Sequence, residues 1–395
     1  MSLEKKNSII IILYLYMEVL LNLVYPIFNN KQISNMGYII TAFLIIYALL
    51  INKGHITKKF IGLLIALLIY MTINLLLVSY KYFVSVEIFF ILINCFLPLY
   101  IITLGKTDYE YLLEFWFKTA KILTLISPIY IILYSKSFIR YSDIGYYSHV
   151  NVLIIAYFLF IIRDIKLSNI LLLLINICMG LLIGSRMFFA SSIITSIAMI
   201  LFISRKKDYK HYLCILISSV LIVAVIFNIK DILYYLQSIM NAYGLRSRNL
   251  TLFIAQLEGG STDLISSGRD EIYKIVLDYI NNRSGLPGGL AVTRYITGGR
   301  YYFSHNLFFD FILLLGTKGS IIFVIWFIYK NYKFFKTKKQ DYYKFSLYFI
   351  AIMSFLTRSI TGAYFVRDKF FLIAISILIF HDNYLSKNWI KHISE

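Results

Sequence analysis

The sequence predicts an all-α, polytopic integral membrane protein of about twelve transmembrane helices with one large extracytoplasmic loop. Three observations predict it. Of 395 residues, 59% are hydrophobic and 15% charged, against about 45–50% and about 25% in soluble domains. The apolar residues fall in long runs almost free of charge, such as Ser8–Phe28, Phe60–Ser79, Ser168–Gly184 and Tyr212–Phe227. Lysine is concentrated in alternate connections between those runs. A spanning helix needs about 20 predominantly apolar residues. Backbone groups in lipid must bond internally, so such runs form helices rather than open strands.

The helices are expected near 8–28, 37–52, 60–79, 87–104, 119–135, 150–162, 168–184, 187–204, 212–228, 317–334, 345–362 and 369–384. The first run continues past Val24 without a small-residue cleavage site, so it reads as a permanent helix rather than a removable signal. Connections carrying Lys5 and Lys6, Lys58 and Lys59, Arg205 to Lys210, and Lys330 to Lys344 are cytoplasmic by the positive-inside rule. Both termini then lie in the cytoplasm. The formal net charge of +19 is explained by these loops and by anionic headgroups, without a nucleic-acid partner.

Three segments follow: helices one to nine over 1–228, an extracytoplasmic segment over 229–316, and C-terminal helices over 317–395. The middle segment is hydrophilic, and long loops are usually functional. Ser267-Gly268-Arg269-Asp270 resembles a helix start. Ile272, Ile275, Val276, Tyr279 and Ile280 recur at helical spacing, predicting an amphipathic helix over 269–282. Gly285, Pro287, Gly288 and Gly289 close it. After His305-Asn306, an apolar stretch carrying Asp310 ends in a break at Gly316. It reads as an interfacial or re-entrant helix, with a true span from about Thr317.

Chemistry-bearing residues are few. Cys95, Cys178 and Cys214 are far apart in apolar runs and read as small hydrophobes. No zinc spacing, phosphate loop or dinucleotide fingerprint is present. Arginine is distributed against lysine. Of twelve arginines, only Arg163 and Arg205 are expected on the cytoplasmic side. Long loops translocate regardless of charge, which accounts for Arg246, Arg248, Arg269, Arg283, Arg294 and Arg300. Arg140, Arg186, Arg358 and Arg367 need another reason. Guanidinium grips phosphate and carboxylate as a planar fork, so an outer cluster suits a lipid-linked diphosphate or an acidic sugar. The bland alternative is pairing with Asp263, Asp270, Glu271 or Asp278. Arg186, between two apolar runs, either snorkels or points into the bundle. His149 and His305 are expected outside, each just before an apolar helix. Histidine there serves as a general base or as a polar anchor.

Gly184-Ser185-Arg186, then Ser267-Gly268-Arg269, the turn Gly285–Gly289, and Ser304-His305-Asn306 before Gly316–Gly319 follow in order along the chain. This succession resembles the O-antigen and capsule polymerase (Wzy) and O-antigen ligase superfamily over about residues 140–335. His149-Val150-Asn151 is similar to a further feature of that family. The resemblance implies a helical membrane fold of the lipid-carrier-dependent (GT-C-like) glycosyltransferases. It implies an enzyme of the bacterial cytoplasmic membrane that joins undecaprenyl-diphosphate-linked repeat units at the outer face, using no metal or cofactor. His305, Arg186 and Arg269 are then the catalytic set. Arg294, Arg300, Asn306, Arg140 and His149 are substrate-binding candidates. A chain-length regulator and a flippase of the same pathway are the implied partners, besides membrane lipid. The Gly-Pro-Gly-Gly turn departs from the family's commoner Gly-x-Gly. An O-antigen ligase of the same fold is the near alternative. A polysaccharide flippase is the distant one, disfavoured because no internal repeat is visible and polarity is concentrated in one segment.

The lysine asymmetry makes the topology testable. Reporters fused near Arg205 and Lys336 are expected to read cytoplasm, and one near Gly260 to read outside. A cytoplasmic reading at Gly260 would put the arginine-rich segment on the wrong face.

Overall fold

The computed structural model describes residues 1–24, 30–183, 185–203, 227–242, 244, 247–259, 269–336, 341–359, 362 and 364–380. Every regular element among them is helical. In chain order these are α1 (Leu3–Asn22), α2 (Asn30–Ile51), α3 (Lys58–Leu77), α4 (Lys81–Thr103), α5 (Tyr109–Leu125), α6 (Ser127–Ser135), α7 (Tyr141–Ala156), α8 (Leu167–Leu182) and α9 (Arg186–Phe202). They continue with α10 (Ile229–Ala242), α11 (Arg248–Leu257), α12 (Arg269–Asn282), α13 (Val292–Ile296), α14 (Leu307–Lys336), α15 (Tyr342–Ser359) and α16 (Lys369–Ile379). A π-helical segment, Tyr157–Ile162, extends α7.

Every expected helix that falls on described residues has a counterpart; nearly all of the one expected over 212–228 lies outside them. Among the described residues fewer than twelve qualify as spans. Four helices there (α3, α4, α7 with its π segment, and α14) are long and apolar enough to cross a membrane, or five if the bent pair α5–α6 is one span. The shorter apolar helices α8, α9 and α16 have 16, 17 and 11 residues, below the length that crosses about 30 Å of hydrocarbon. On α3, Ile61, Ile65, Ile69, Ile73 and Leu76 are exposed, as are Ile321, Ile322, Ile325 and Ile328 on α14. Apolar faces this broad fit lipid rather than water.

The chain packs as two compact units, one of residues Met1–Leu15, Asn35–Leu113 and Arg269–Glu395, the other of Tyr16–Ser34 and Glu114–Gly268. In the second unit α7 packs on α8 and α9. Side-chain hydrogen bonds run through its core. The Trp116 indole donates to Tyr16 at 3.1 Å, the Tyr16 hydroxyl to Asn151 at 2.7 Å, and the Asn151 amide to Asn176 at 3.1 Å. The Asn176 amide donates in turn to Thr124 at 2.7 Å. Such bonds join helices where apolar burial discriminates poorly between partners. Helix α7 begins nine residues before the expected 150, because the Asp143 carboxylate accepts the Arg140 backbone N–H at 2.8 Å and starts the helix there.

The first unit is organised around a break in α14. Gly316 has φ 73° and ψ 168°, outside helical space. The break frees the Leu313 carbonyl, which accepts N–H bonds from Gly288 at 2.7 Å and Gly289 at 3.0 Å. The Thr317 N–H turns to the Gly285 carbonyl at 2.9 Å. The glycine-rich turn therefore plugs the gap that it adjoins. A Cβ on Gly316 would lie 2.8 Å from the Pro287 ring, so both the dihedrals and the space require glycine. Asn74 of α3 accepts the Leu290 N–H at 2.8 Å, and the Tyr80 hydroxyl donates to the Gly288 carbonyl. These contacts bolt the turn to the α3–α4 junction. The expected interfacial helix is thus the first part of α14, residues 307–315, separated by the kink at the expected glycine from the longer helix beyond it.

At the other end of this unit, α15 and α16 are joined by a buried fork. Arg358 reaches Asp368 through two contacts of 2.6 and 2.9 Å, with both side chains about 5% exposed.

Two variants test this framework. Gly316→Ala should lose about 1–3 kcal/mol through the strained dihedral alone. Arg358→Ala, which strands the Asp368 carboxylate, should lose about 3–5 kcal/mol. Unfolding of the purified protein in detergent measures both, and adding Asp368→Ala to Arg358→Ala should cost much less than a second full penalty.

Candidate functional site

The amphipathic helix forms over the expected residues, Arg269–Asn282. Ile272 and Val276 bury against Val292 of α13 and Leu313 of α14. Asp270 and Glu271 occupy its first turn, where carboxylates complement the helix dipole. That packing brings Tyr273 to the His305 backbone, whose carbonyl accepts the tyrosine hydroxyl at 3.2 Å. Arg269, at the helix start, is near enough for its charge to act on the His305 imidazole.

His305 sits in a bend with φ 60°, a left-handed backbone for a bulky residue that costs about 1–3 kcal/mol. Its neighbours hold it there. Asn306 caps α14, its side-chain oxygen accepting the Phe308 and Phe309 N–H groups at 3.0 and 3.3 Å. The Ser304 hydroxyl donates to the Asn306 carbonyl at 2.8 Å and accepts its N–H at 3.2 Å. The Ser304 N–H donates to Asp310 Oδ1 at 2.8 Å. The imidazole packs on Phe303 at 4.2 Å between centroids. It faces Gly362, where a Cβ would come within 2.6 Å of Nδ1. Burial, and then the Arg269 charge, push the His305 pKa down to about 4. The ring is therefore neutral across the physiological range, with one nitrogen able to accept a hydrogen bond.

A second group of side chains surrounds Tyr302. Arg294 lies over its ring at 4.6 Å and over Phe83 at 4.8 Å. Arg367 lies at 5.2 Å from the same tyrosine, on Phe90 at 3.8 Å, and pairs with Glu87 at 2.8 Å. Glu87 and Asp310 are 2% and 5% exposed. Tyr364 stacks on Phe303 at 5.2 Å. Burial, then the Glu87 and Asp310 carboxylates, raise its hydroxyl well above the usual value, so it stays a hydrogen-bond donor.

Of the residues singled out in the sequence, Arg269, His305, Asn306 and Arg294 fall in this one unit. Arg300 is also there, exposed and paired with Glu271 at 3.2 Å, the bland alternative weighed above. Arg140, His149 and Arg186 belong to the other unit. Arg140 is exposed at the start of α7. His149 departs from expectation. It is not at a helix entrance but inside α7, fully buried, with Nδ1 2.8 Å from the Ser192 hydroxyl. The earlier start of α7 explains the difference. Arg186 is the first residue of α9, and Gly184 before it lies outside the described residues, as do Ser267 and Gly268.

Sequence reasoning missed Glu87 and the pairing of Arg367 and Arg358. The signal was present, since Glu87 is the sole acidic residue of α4 and an ionisable group in an apolar helix requires a partner. Compared with known proteins, the chain matches no family model, no curated protein and no solved structure.

The lowered His305 pKa has a direct readout. In histidine-labelled protein followed by NMR, one resonance, absent from His305→Gln, should stay at its neutral position as the pH is lowered through about 6.5 and move only near 4. A midpoint near 6.5 would mean that the ring is solvated.

Proposed function

We propose that this protein is a surface-polysaccharide polymerase of the cytoplasmic membrane, joining oligosaccharide repeat units carried on undecaprenyl diphosphate at the outer face. The single observation that carries this reading is the strained left-handed bend that holds the His305 imidazole against the helix begun by Arg269. An unprotonated imidazole that can accept the hydroxyl's hydrogen bond and a donor fork for an anion are the two groups such a transfer needs. The ordered likeness of Ser267–Arg269, Ser304–Asn306 and Gly316–Gly319 to the polymerase and ligase superfamily supports the substrate class. The twelve-span topology, with both termini cytoplasmic and a GT-C-like fold, belongs to the same proposal.

In this reading the acceptor hydroxyl oxygen attacks the anomeric carbon of the donor sugar. The carbon–oxygen bond to the diphosphate breaks, and its electron pair leaves with the phosphate. The hydroxyl proton passes to His305. Arg269 faces the charge that grows on the diphosphate, where bidentate donors stabilise it more than a point charge does. The polar network of Ser304, Asn306 and Tyr273 keeps the imidazole in place. Arg186 stands as a separate site proposal, resting on the sequence likeness.

The experiment is polymerisation of purified lipid-linked repeat units by the purified protein. His305→Gln should lower the rate by about 10²–10⁴ while donor binding persists. Arg269→Lys, which keeps charge but loses the fork, should restore little of what Arg269→Ala removes. Arg186→Lys is compared with Arg186→Ala in the same way. Wild-type polymer from His305→Gln would remove the histidine from the reaction. Redistribution of the lipid-linked glycan across vesicles without polymer would identify a transporter instead.

A further inference from the structure

Asp310 carries a buried oxygen that the fold does not use. Its Oδ1 accepts the Ser304 N–H, but its Oδ2 is inaccessible to solvent and has no hydrogen-bond partner among the described residues. The neighbouring buried carboxylate, Glu87, also has an oxygen, Oε1, without a hydrogen-bond partner among the described residues, but its charge is met by Arg367. No ion pair to Asp310 is seen among the described residues. A buried carboxylate oxygen left unsatisfied costs free energy, and such an atom in a native fold calls for a partner from outside the chain.

That partner has a place to enter. Asp310 lines a small, partly open pocket with Thr293, Tyr302 and Tyr364, floored by Leu313 and Phe365. The space is about the size of one water molecule or one hydroxyl. Its polar groups are complementary, with a carboxylate that accepts and a tyrosine that remains protonated and donates, its hydroxyl shared with Glu87. Tyr302 presents an exposed aromatic ring at the rim, beneath Arg294. An acceptor and a donor under an aromatic face form an arrangement that takes a hydroxyl from a pyranose and stacks the ring's apolar face.

We propose that this pocket is a recognition subsite for one hydroxyl of the glycan, with Asp310 accepting its hydrogen bond, Tyr364 donating one and Tyr302 covering the sugar ring. The inference rests on the glycan chemistry proposed above, but it concerns binding, and His305 remains the proton acceptor. It makes Asp310 a specificity determinant that selects which sugar is presented to the reaction.

The test uses full-length protein in detergent on an array of immobilised oligosaccharides, with Asp310→Asn and Tyr364→Phe as variants. Asparagine keeps an oxygen for the Ser304 N–H, so the His305 bend persists, and an unchanged melting temperature verifies this. The wild type should retain a defined set of glycans. Both variants should bind that set roughly 10- to 100-fold more weakly, the size of one lost charge-assisted hydrogen bond. A deoxy sugar lacking the recognised hydroxyl should show the same loss with the wild type and no further loss with Asp310→Asn. Equal binding by wild type and both variants, or no glycan retained by the wild type, would overturn the subsite and leave a fixed water as the occupant. Polymerisation separates this from the parent reading. Glycan binding that depends on Asp310, without polymer from lipid-linked repeats, keeps the subsite and removes the polymerase. Polymer at wild-type rate and KM from Asp310→Asn does the reverse.

Discussion

The Leu313 carbonyl is the point from which the first unit is built. A helix interrupted at Gly316 leaves carbonyl and N–H groups without intrahelical partners, and in an apolar setting they must find others nearby. The Gly285–Gly289 turn supplies them, through Gly288 and Gly289 on one side of the gap and Gly285 on the other. This exchange decides where α12 lies, because the turn is its direct continuation. It also fixes the height of α13 and, through Leu313, the core on which Ile272 and Val276 rest. Tyr273 reaches the His305 carbonyl only because α12 is held against α14 in this way.

The charges divide by what they face. Arg358 and Arg367 each meet a buried carboxylate, Asp368 through a two-contact fork and Glu87 through one contact that leaves Glu87 Oε1 and Arg367 Nε without hydrogen-bond partners among the described residues. Removing either member would leave the other uncompensated, so these pairs constrain the fold more than they stabilise it. Arg300 and Glu271 are exposed to solvent and contribute little. Arg294 is different, since it lies between two aromatic rings with no carboxylate paired to it among the described residues. Guanidinium stacked on aromatic faces keeps its edge available for an anion, which a carboxylate partner would have blocked.

Helix positions were largely legible in the residues, because apolar runs and the 269–282 periodicity report burial directly. Residues 269–282 form a helix with those bounds, and the break at Gly316 falls where glycine interrupts an apolar run. Span number was less legible, because hydrophobicity measures burial without saying whether protein or lipid does the burying. Most of the window over Tyr141–Ile162 is buried inside the protein, whereas little of that over Lys58–Leu77 is. His149 shows the same ambiguity at one position. A polar residue ahead of an apolar run reads as a helix entrance until Asp143, six residues earlier, is seen to start the helix. At the site, His305, Asn306 and Arg269 carried a local signal. Glu87 and Arg367, 280 residues apart, form a pair that no local pattern encodes.

The segment from Gly289 to Ser304 is tied down at both ends by backbone. Its first residues bond to Leu313 and Asn74, and its last to Asp310. Between those ties lie Arg294, Tyr295, Arg300 and Tyr302, whose side chains are not part of either anchor. The arrangement is a cassette. Tyr295, Arg300 and Tyr302, exposed on it, can vary in character while Val292, Thr293 and Thr297, buried beneath them, keep the clamp the same. The exposed positions of this stretch can therefore be rewritten without touching the backbone ties that hold it, and a laboratory can exchange them as one set.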